Sequence, residues 1–177
     1  MYKKVGNNVM VDIETLGTGS NALIVSIGAV RFNDTIIEKF YSPCFYQQND
    51  RKIEIGTIKW WMSQEDEARK VFSEKAVPLK EALIDLRDFI DREDKVWANG
   101  VTFDITILEN ALLSNKLKLP WKYTNILCLR SIRSIYPEYD EIMKELRGNS
   151  ASHNALDDAK MQAQALILLS QLKYFEL

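Results

Sequence analysis

Three short runs rich in β-branched and aromatic residues open the chain: Val9 to Ile13, Ala22 to Phe32 and Ile36 to Tyr41. Turn-forming segments, Gly17-Thr18-Gly19-Ser20 and Asn33-Asp34, separate them. That order predicts an antiparallel meander. From Ile58 onward the apolar period changes. Leu79, Leu83, Leu86, Phe89 and Ile90 recur at helical spacing behind Pro78, which a helix tolerates in its first turn. Val96 to Asn99 reads as a short strand, Phe103 to Leu113 as a helix, Tyr123 to Leu127 as a strand, and Ala155 to Leu172 as a long closing helix. Three strands followed by alternating helix and strand predict an α/β fold. Its mixed sheet is antiparallel first and parallel after, with crossover helices against its faces. Pro43 to Glu54 and Tyr136 to Ser150 read as surface loops with some helix, of the kind that border sites. With no repeat or linker, residues 1–177 read as one domain.

Composition narrows the function classes. With 46% hydrophobic and 27% charged residues the chain is of the ordinary globular type. Its net charge of -2, from 23 basic and 25 acidic residues, excludes a protein that coats nucleic acid through bulk positive charge. It does not exclude an enzyme that gathers carboxylates around cations. The longest apolar stretch, Ala22 to Phe32, is too short to span a bilayer and is broken by Ser26, Gly28 and Arg31. Cys44 and Cys128 show no metal-ligand spacing, and the start lacks a leader pattern. A reduced, cytoplasmic protein with no membrane partner is expected.

Asp12 and Glu14 lie two apart on the first strand, so both side chains share one face. Two like charges at the end of an apolar strand resist desolvation unless a cation neutralises them, and hard divalent cations take such oxygen ligands. A solvated strand end is the alternative. Asp104 follows a strand and a Gly100-Val101-Thr102 turn. It either complements a helix N-terminus or belongs to a site at the strand's carboxyl end. His153 is the only histidine, and Asp158 lies five residues on, among Ala155, Ala159 and Ala163. With Asn154 as N-cap, Asp157 falls at the third helical position and serves the helix, while Asp158 points about 100° away.

Asp12-x-Glu14, Asn99 with Phe103-Asp104, and His153-x-Ala155-x-x-Asp158 match in type, order and spacing the motifs of a known family. The chain resembles the DEDDh branch of the DnaQ-like exonucleases, which includes RNase T and oligoribonuclease. Thr57-Ile58-Lys59-Trp60-Trp61, Gln64, Ala68-Arg69 and Trp97-Ala98-Asn99-Gly100 add a likeness to the exonuclease VIII-like branch of bacteria and phages, with its compact exoribonuclease-like members. The resemblance implies an RNase H-like fold with a five-stranded mixed sheet and helices on both faces. It implies hydrolysis from the 3′ end of single-stranded DNA or RNA, releasing nucleoside monophosphates. Two Mg²⁺ or Mn²⁺ ions would be held by Asp12, Glu14, Asp104 and Asp158, with His153 as general base. Thr15 and Leu16 would meet the terminal nucleotide. From the residues themselves, Asn99 contacts substrate or closes the turn before Gly100, Phe103 contacts a base or packs in the core, and Arg130 and Arg133 meet phosphates or form a solvated face. Of Trp60 and Trp61 one packs in a core and the other lines the groove, and Trp61 is assigned to the groove. Such a protein acts in a bacterial cytoplasm, including that of a phage-infected cell, and a homodimer is left open. The alternatives are a phosphoesterase for small nucleotides and a non-catalytic nucleic-acid-binding module of a replication or repair complex.

Overall fold

The computed structural model describes residues 7–148 and 153–173. Among the described residues its sheet has five strands, with the third in sequence at one edge and the fifth at the other. β1 (Asn8–Thr15), β2 (Ile24–Phe32) and β3 (Ile36–Pro43) form the expected antiparallel meander. β4 (Lys95–Ala98) then pairs in parallel with β1, and β5 (Ile126–Cys128) in parallel with β4. β3 is one of the two edges, where the exposed Glu38 and Lys39 guard the open backbone against pairing with another chain.

Alternation along β1 sorts its side chains between two cores. Val9, Val11 and Ile13 join the layer of α3 (Leu79–Phe89) and α4 (Asp104–Ser114), with Leu83, Leu86, Leu108 and Leu112. Met10 points to the opposite layer, where α6 (Glu138–Arg147) and α7 (Ala155–Lys173) bring Tyr139, Ala159, Ala163 and Leu166. A third, smaller cluster joins Leu16, Leu23 and Val25 to Trp61 of α1 (Ile55–Met62), Ala68 of α2 (Asp66–Arg69) and Val71. Helices thus cover both faces, and the α/β architecture is that expected from the residues.

Three boundaries differ from the sequence reading. Tyr123–Asn125 is a 3₁₀ turn with Tyr123 exposed, and the strand begins only at Ile126, where pairing with Val96 becomes available. The segment from Pro43 to Glu54 contains no helix. Gln48 instead bonds both the amide and the carbonyl of Ile24, acting as a one-residue strand partner, and Arg51 reaches the carbonyls of Ala22 and Ile107. The segment from Tyr136 is mostly α6, because Tyr139 is buried with Ile142 and Met143 packed beside it; residues 149–150 lie outside the described part. α5 (Leu129–Ile135) follows β5 directly.

The end of the sheet at Asn8 is anchored by polar contacts. Arg31 Nη1 lies 2.6 Å from Asp94 Oδ2, and Asp94 is fully buried. Asp94 also accepts from the amides of Asn7 and Asp91, and Arg31 from its other side donates to Glu38 and to the Phe89 carbonyl. A buried pair is tolerated when its remaining valences are filled in this way.

Candidate active site

Asp12 and Glu14 share the Met10 face of β1 and so project toward α7. The β1–β2 register shifts between Glu14 and Thr15, where β2 carries one extra residue, Val25, the kind of irregularity that ends regular pairing beside a site. Across from Asp12 stands Gly28 of β2, and over Gly28 sits the first turn of α7. A methyl at Gly28 would lie 2.2 Å from the Ala155 carbonyl carbon and 2.3 Å from the Leu156 nitrogen. Only glycine admits the helix here.

Asn154 caps α7, its Oδ1 accepting from the amides of Leu156 (3.0 Å) and Asp157 (3.2 Å). Asp157 is exposed and paired with Lys160, a structural role, while Asp158 turns inward. One turn on, Gln162 Nε2 donates to Asp12 Oδ1 at 2.9 Å. The amide of His153 donates to Asp158 Oδ2 (3.2 Å), and His153 has φ 84°, a left-handed backbone that costs a non-glycine residue free energy. Asp104 enters from the start of α4, where no side chain caps the helix; the Gly100 amide donates to its Oδ2 at 3.4 Å.

These elements surround a cavity of about 500 Å³ lined by Asp12, Glu14, Asp104, His153, Asp158 and Gln162, among others. Glu14, His153 and Asp158 each offer one ligand atom within 4.8 Å of the others, a spacing one cation can bridge. Burial raises the proton affinity of all four acids, and repulsion among them adds to it at Asp12 and Glu14. Burial, then Asp104, Glu14 and Asp158, raise Asp12 well above the usual carboxylate range, against the Gln162 bond that lowers it. Glu14 is pushed up to about 8 by burial, then by Asp158 and Asp104. Asp104 and Asp158 rise to about 6 through burial, moderated for Asp104 by backbone amides and for Asp158 by Arg147. His153 is lowered by burial and by Arg147, which keeps its ring neutral and able to accept a proton at neutral pH.

Acids whose protons are held more tightly in the fold than in the unfolded chain weaken the fold as pH rises. The cation-free protein is therefore expected to melt at falling temperature as pH goes from about 4 to about 8, the interval between ordinary carboxylates and Glu14. Mg²⁺ or Mn²⁺ should raise the melting temperature more at pH 8 than at pH 5. Scanning calorimetry in chelator and in metal checks both, and a melting temperature that climbs with pH in chelator contradicts the picture.

A second, largely apolar cavity of about 410 Å³ adjoins the first and shares Ile13, Glu14 and Phe103 with it. Its exposed aromatic wall is Trp60, which corrects the assignment of Trp61 to the groove. Trp61 is 3% exposed, packs with Leu16 and Val71, and donates Nε1–H to the Thr15 carbonyl at 2.9 Å. Trp60 is 42% exposed and meets the His153 ring edge to face, centroids 4.9 Å apart. Leu16 is buried too, and its backbone is engaged, its amide donating to Leu23 and its carbonyl accepting from Glu54. Thr15 and Phe103 line the apolar cavity, while Asn99 lines the first and accepts from Arg133 at 3.2 Å. Sequence reasoning missed Gln162 and Arg147. Gln162 was recoverable, since it follows Asp158 by four residues on one helix face; Arg147, 3.7 Å from Asp158, arrives from another helix.

The profile of the Rv2179c-like 3′-5′ exoribonuclease domain matches residues 7–169. The chain belongs to this family. Its members are 3′-5′ exonuclease hydrolases, and the DEDDh kinship read from the motifs agrees with that placement. A sequence comparison with curated proteins finds no match. Among solved structures, the zinc-bound E. coli Exonuclease I complex with single-stranded DNA aligns with a TM-score of 0.67 at 19% identity, over 94% of this chain and 40% of that one. The nuclease domain of 3′hExo, a DEDDh family member bound to rAMP, gives 0.64 at 15% identity over 95% and 93%. S. pombe Pop2p with Mg²⁺ and Mn²⁺ gives 0.64 at 12% over 94% and 83%. The chain thus spans about 40% of the length of Exonuclease I, and these likenesses establish the RNase H-like fold. Among the described residues no helix is long and apolar enough to cross a membrane.

Proposed function

We propose that the protein is a divalent-metal-dependent 3′-5′ exoribonuclease that releases nucleoside monophosphates from the 3′ end of single-stranded RNA. The observation that carries this reading is the meeting of Asp12, Glu14, Asp104 and Asp158 with the chain's only imidazole around one cavity. Four recessed carboxylates, two of which, Asp12 and Glu14, have their proton affinity raised by the others, fit hard cations well, since oxygen donors and positive charge relieve that repulsion together. In this reading Asp12, Glu14, Asp104 and Asp158 hold two such ions. Bound there, the ions would lower the pKa of a water and neutralise charge on the departing 3′-oxygen. His153, neutral at pH 7, takes the water's proton on its ring nitrogen. Gln162 fixes one oxygen of Asp12, leaving the other to face the cavity. The apolar cavity receives the terminal base against Trp60 and Phe103, beside Thr15, and Asn99 contacts the neighbouring nucleotide.

The family description supports RNA, and the single-stranded DNA, rAMP and metal ions bound by the fold's relatives support a single strand, a monophosphate product and divalent cations. Incubation of 5′-labelled single-stranded RNA, single-stranded DNA and 3′-overhang duplexes with Mg²⁺, Mn²⁺ or chelator tests it. A ladder shortening from the RNA 3′ end, lost in chelator, is expected. Metal-independent cleavage, or DNA cut faster than RNA, contradicts the reading.

A further inference from the structure

A third cavity, of about 480 Å³, opens between α5 and α6 and shares Asn99, Arg147 and Gln162 with the catalytic one. Its lining includes Asp140, Lys144 and Arg147 of α6, which at spacings of four and three occupy one helix face. α5 contributes Arg133 to this cavity and Arg130 to the catalytic one. Arg130 lies flat against Gly100, where even a methyl would stand 2.9 Å from its guanidinium carbon. Arg133 is held ready by Asp140 (2.8 Å), by Asn99 and by the Tyr139 ring 6.0 Å away. Arg130, Arg133, Lys144 and Arg147 therefore mark one side of a continuous path, with Asp140 the single acid lining the α5–α6 cavity, in a chain whose net charge is -2.

The three cavities form a series: apolar at Trp60 and Phe103, acidic at Asp12 and Glu14, basic at Arg133 and Lys144. An unpaired polynucleotide end has the same order, from terminal base to scissile phosphate to upstream backbone. We propose that the α5–α6 groove is the track for the phosphates upstream of the scissile bond, recognised by charge and guanidinium geometry and not by base identity. The inference rests on the exonuclease reading and adds a substrate class: oligonucleotides long enough to reach Lys144 are preferred over dinucleotides.

The test compares single-stranded RNA of two and eight nucleotides in wild type, Lys144→Glu and the Arg133→Ala/Lys144→Ala double variant. Lys39→Glu on the distant edge strand serves as a charge-matched control. Wild type should favour the octamer in kcat/KM. The ratio of octamer to dinucleotide should fall about tenfold in the groove variants, mainly through KM, and stay at the wild-type value in the control. In parallel, anisotropy of labelled octamer in Ca²⁺ gives the salt slope of binding, expected to shrink by about 0.7 for each phosphate that a variant leaves unneutralised. Melting temperatures verify folding of these variants. A protein that hydrolyses nothing but shows the reduced slope would uphold the track and refute the exonuclease reading. An active protein with unchanged ratio and slope in the groove variants, or a wild type that cuts dinucleotides as well as octamers, overturns the track.

Discussion

Replacing His153 by glycine is expected to lower kcat on single-stranded RNA by about 10²–10⁴-fold, with little change in KM and no loss of fold stability. His153 is the only imidazole, burial and Arg147 keep its ring neutral, and the raised acids that share its cavity are the groups assigned to the cations in the proposed reading. The stability half of the expectation follows from its backbone. At φ 84° a side chain costs about 1–3 kcal/mol, which glycine relieves. Removing the ring that meets Trp60 edge to face costs about 0.5–1.5 kcal/mol, so the two changes nearly offset. Single-turnover kinetics on labelled RNA together with thermal melting read both quantities. A variant that keeps more than about a tenth of wild-type kcat would mean that a different group takes the proton.

An equally large effect is expected where no chemistry occurs. Gly28→Ala places a methyl inside the backbone of α7, 2.2–2.4 Å from Ala155 and Leu156 atoms, and neither clash can be relieved by a side-chain rotation. The first turn of α7 must lift, carrying His153, Asp158 and Gln162 away from Asp12 and Glu14. We expect a loss of about 1–3 kcal/mol from overpacking and about a hundred-fold fall in kcat, because a displacement near 1 Å is enough to spoil a catalytic geometry. Melting and activity are measured on the same preparation. Wild-type kcat in a folded Gly28→Ala protein would show that the helix start does not set the site.

The acids and the imidazole are legible in the sequence because each belongs to a short-range pattern. Two residues of separation on a strand put Asp12 and Glu14 on one face, and the Asn154 cap separates Asp157 from Asp158. The order of strands and helices is legible for the same reason. What stays hidden depends on the meeting of distant segments. Adjacent helix residues Trp60 and Trp61 differ by about 100° in direction, and only the docking of α1 on Thr15, Leu23 and Val71 decides which of them is buried. Leu16 is expected from the resemblance to meet the terminal nucleotide, yet Leu23 and Glu54 capture its backbone and a small core captures its side chain. Gln48 and Arg51 replace a missing strand partner from a stretch without periodicity, and no local rule announces such work.

The Arg31–Asp94 pair has a consequence for how such a domain can change over generations. It holds β2 to the approach to β4 at the end of the sheet where Asn8, Asn7 and Asp91 also gather, with both carboxylate oxygens of Asp94 bonded by neighbours remote from the catalytic acids. The scaffold's polar keystone and its chemistry thus occupy different ends of the same strands. On the proposed reading, substitutions in α1, α5 or α6 would reshape which polynucleotides enter without loosening that keystone. A lineage built on this plan is free to diversify its substrates while inheriting one unaltered frame.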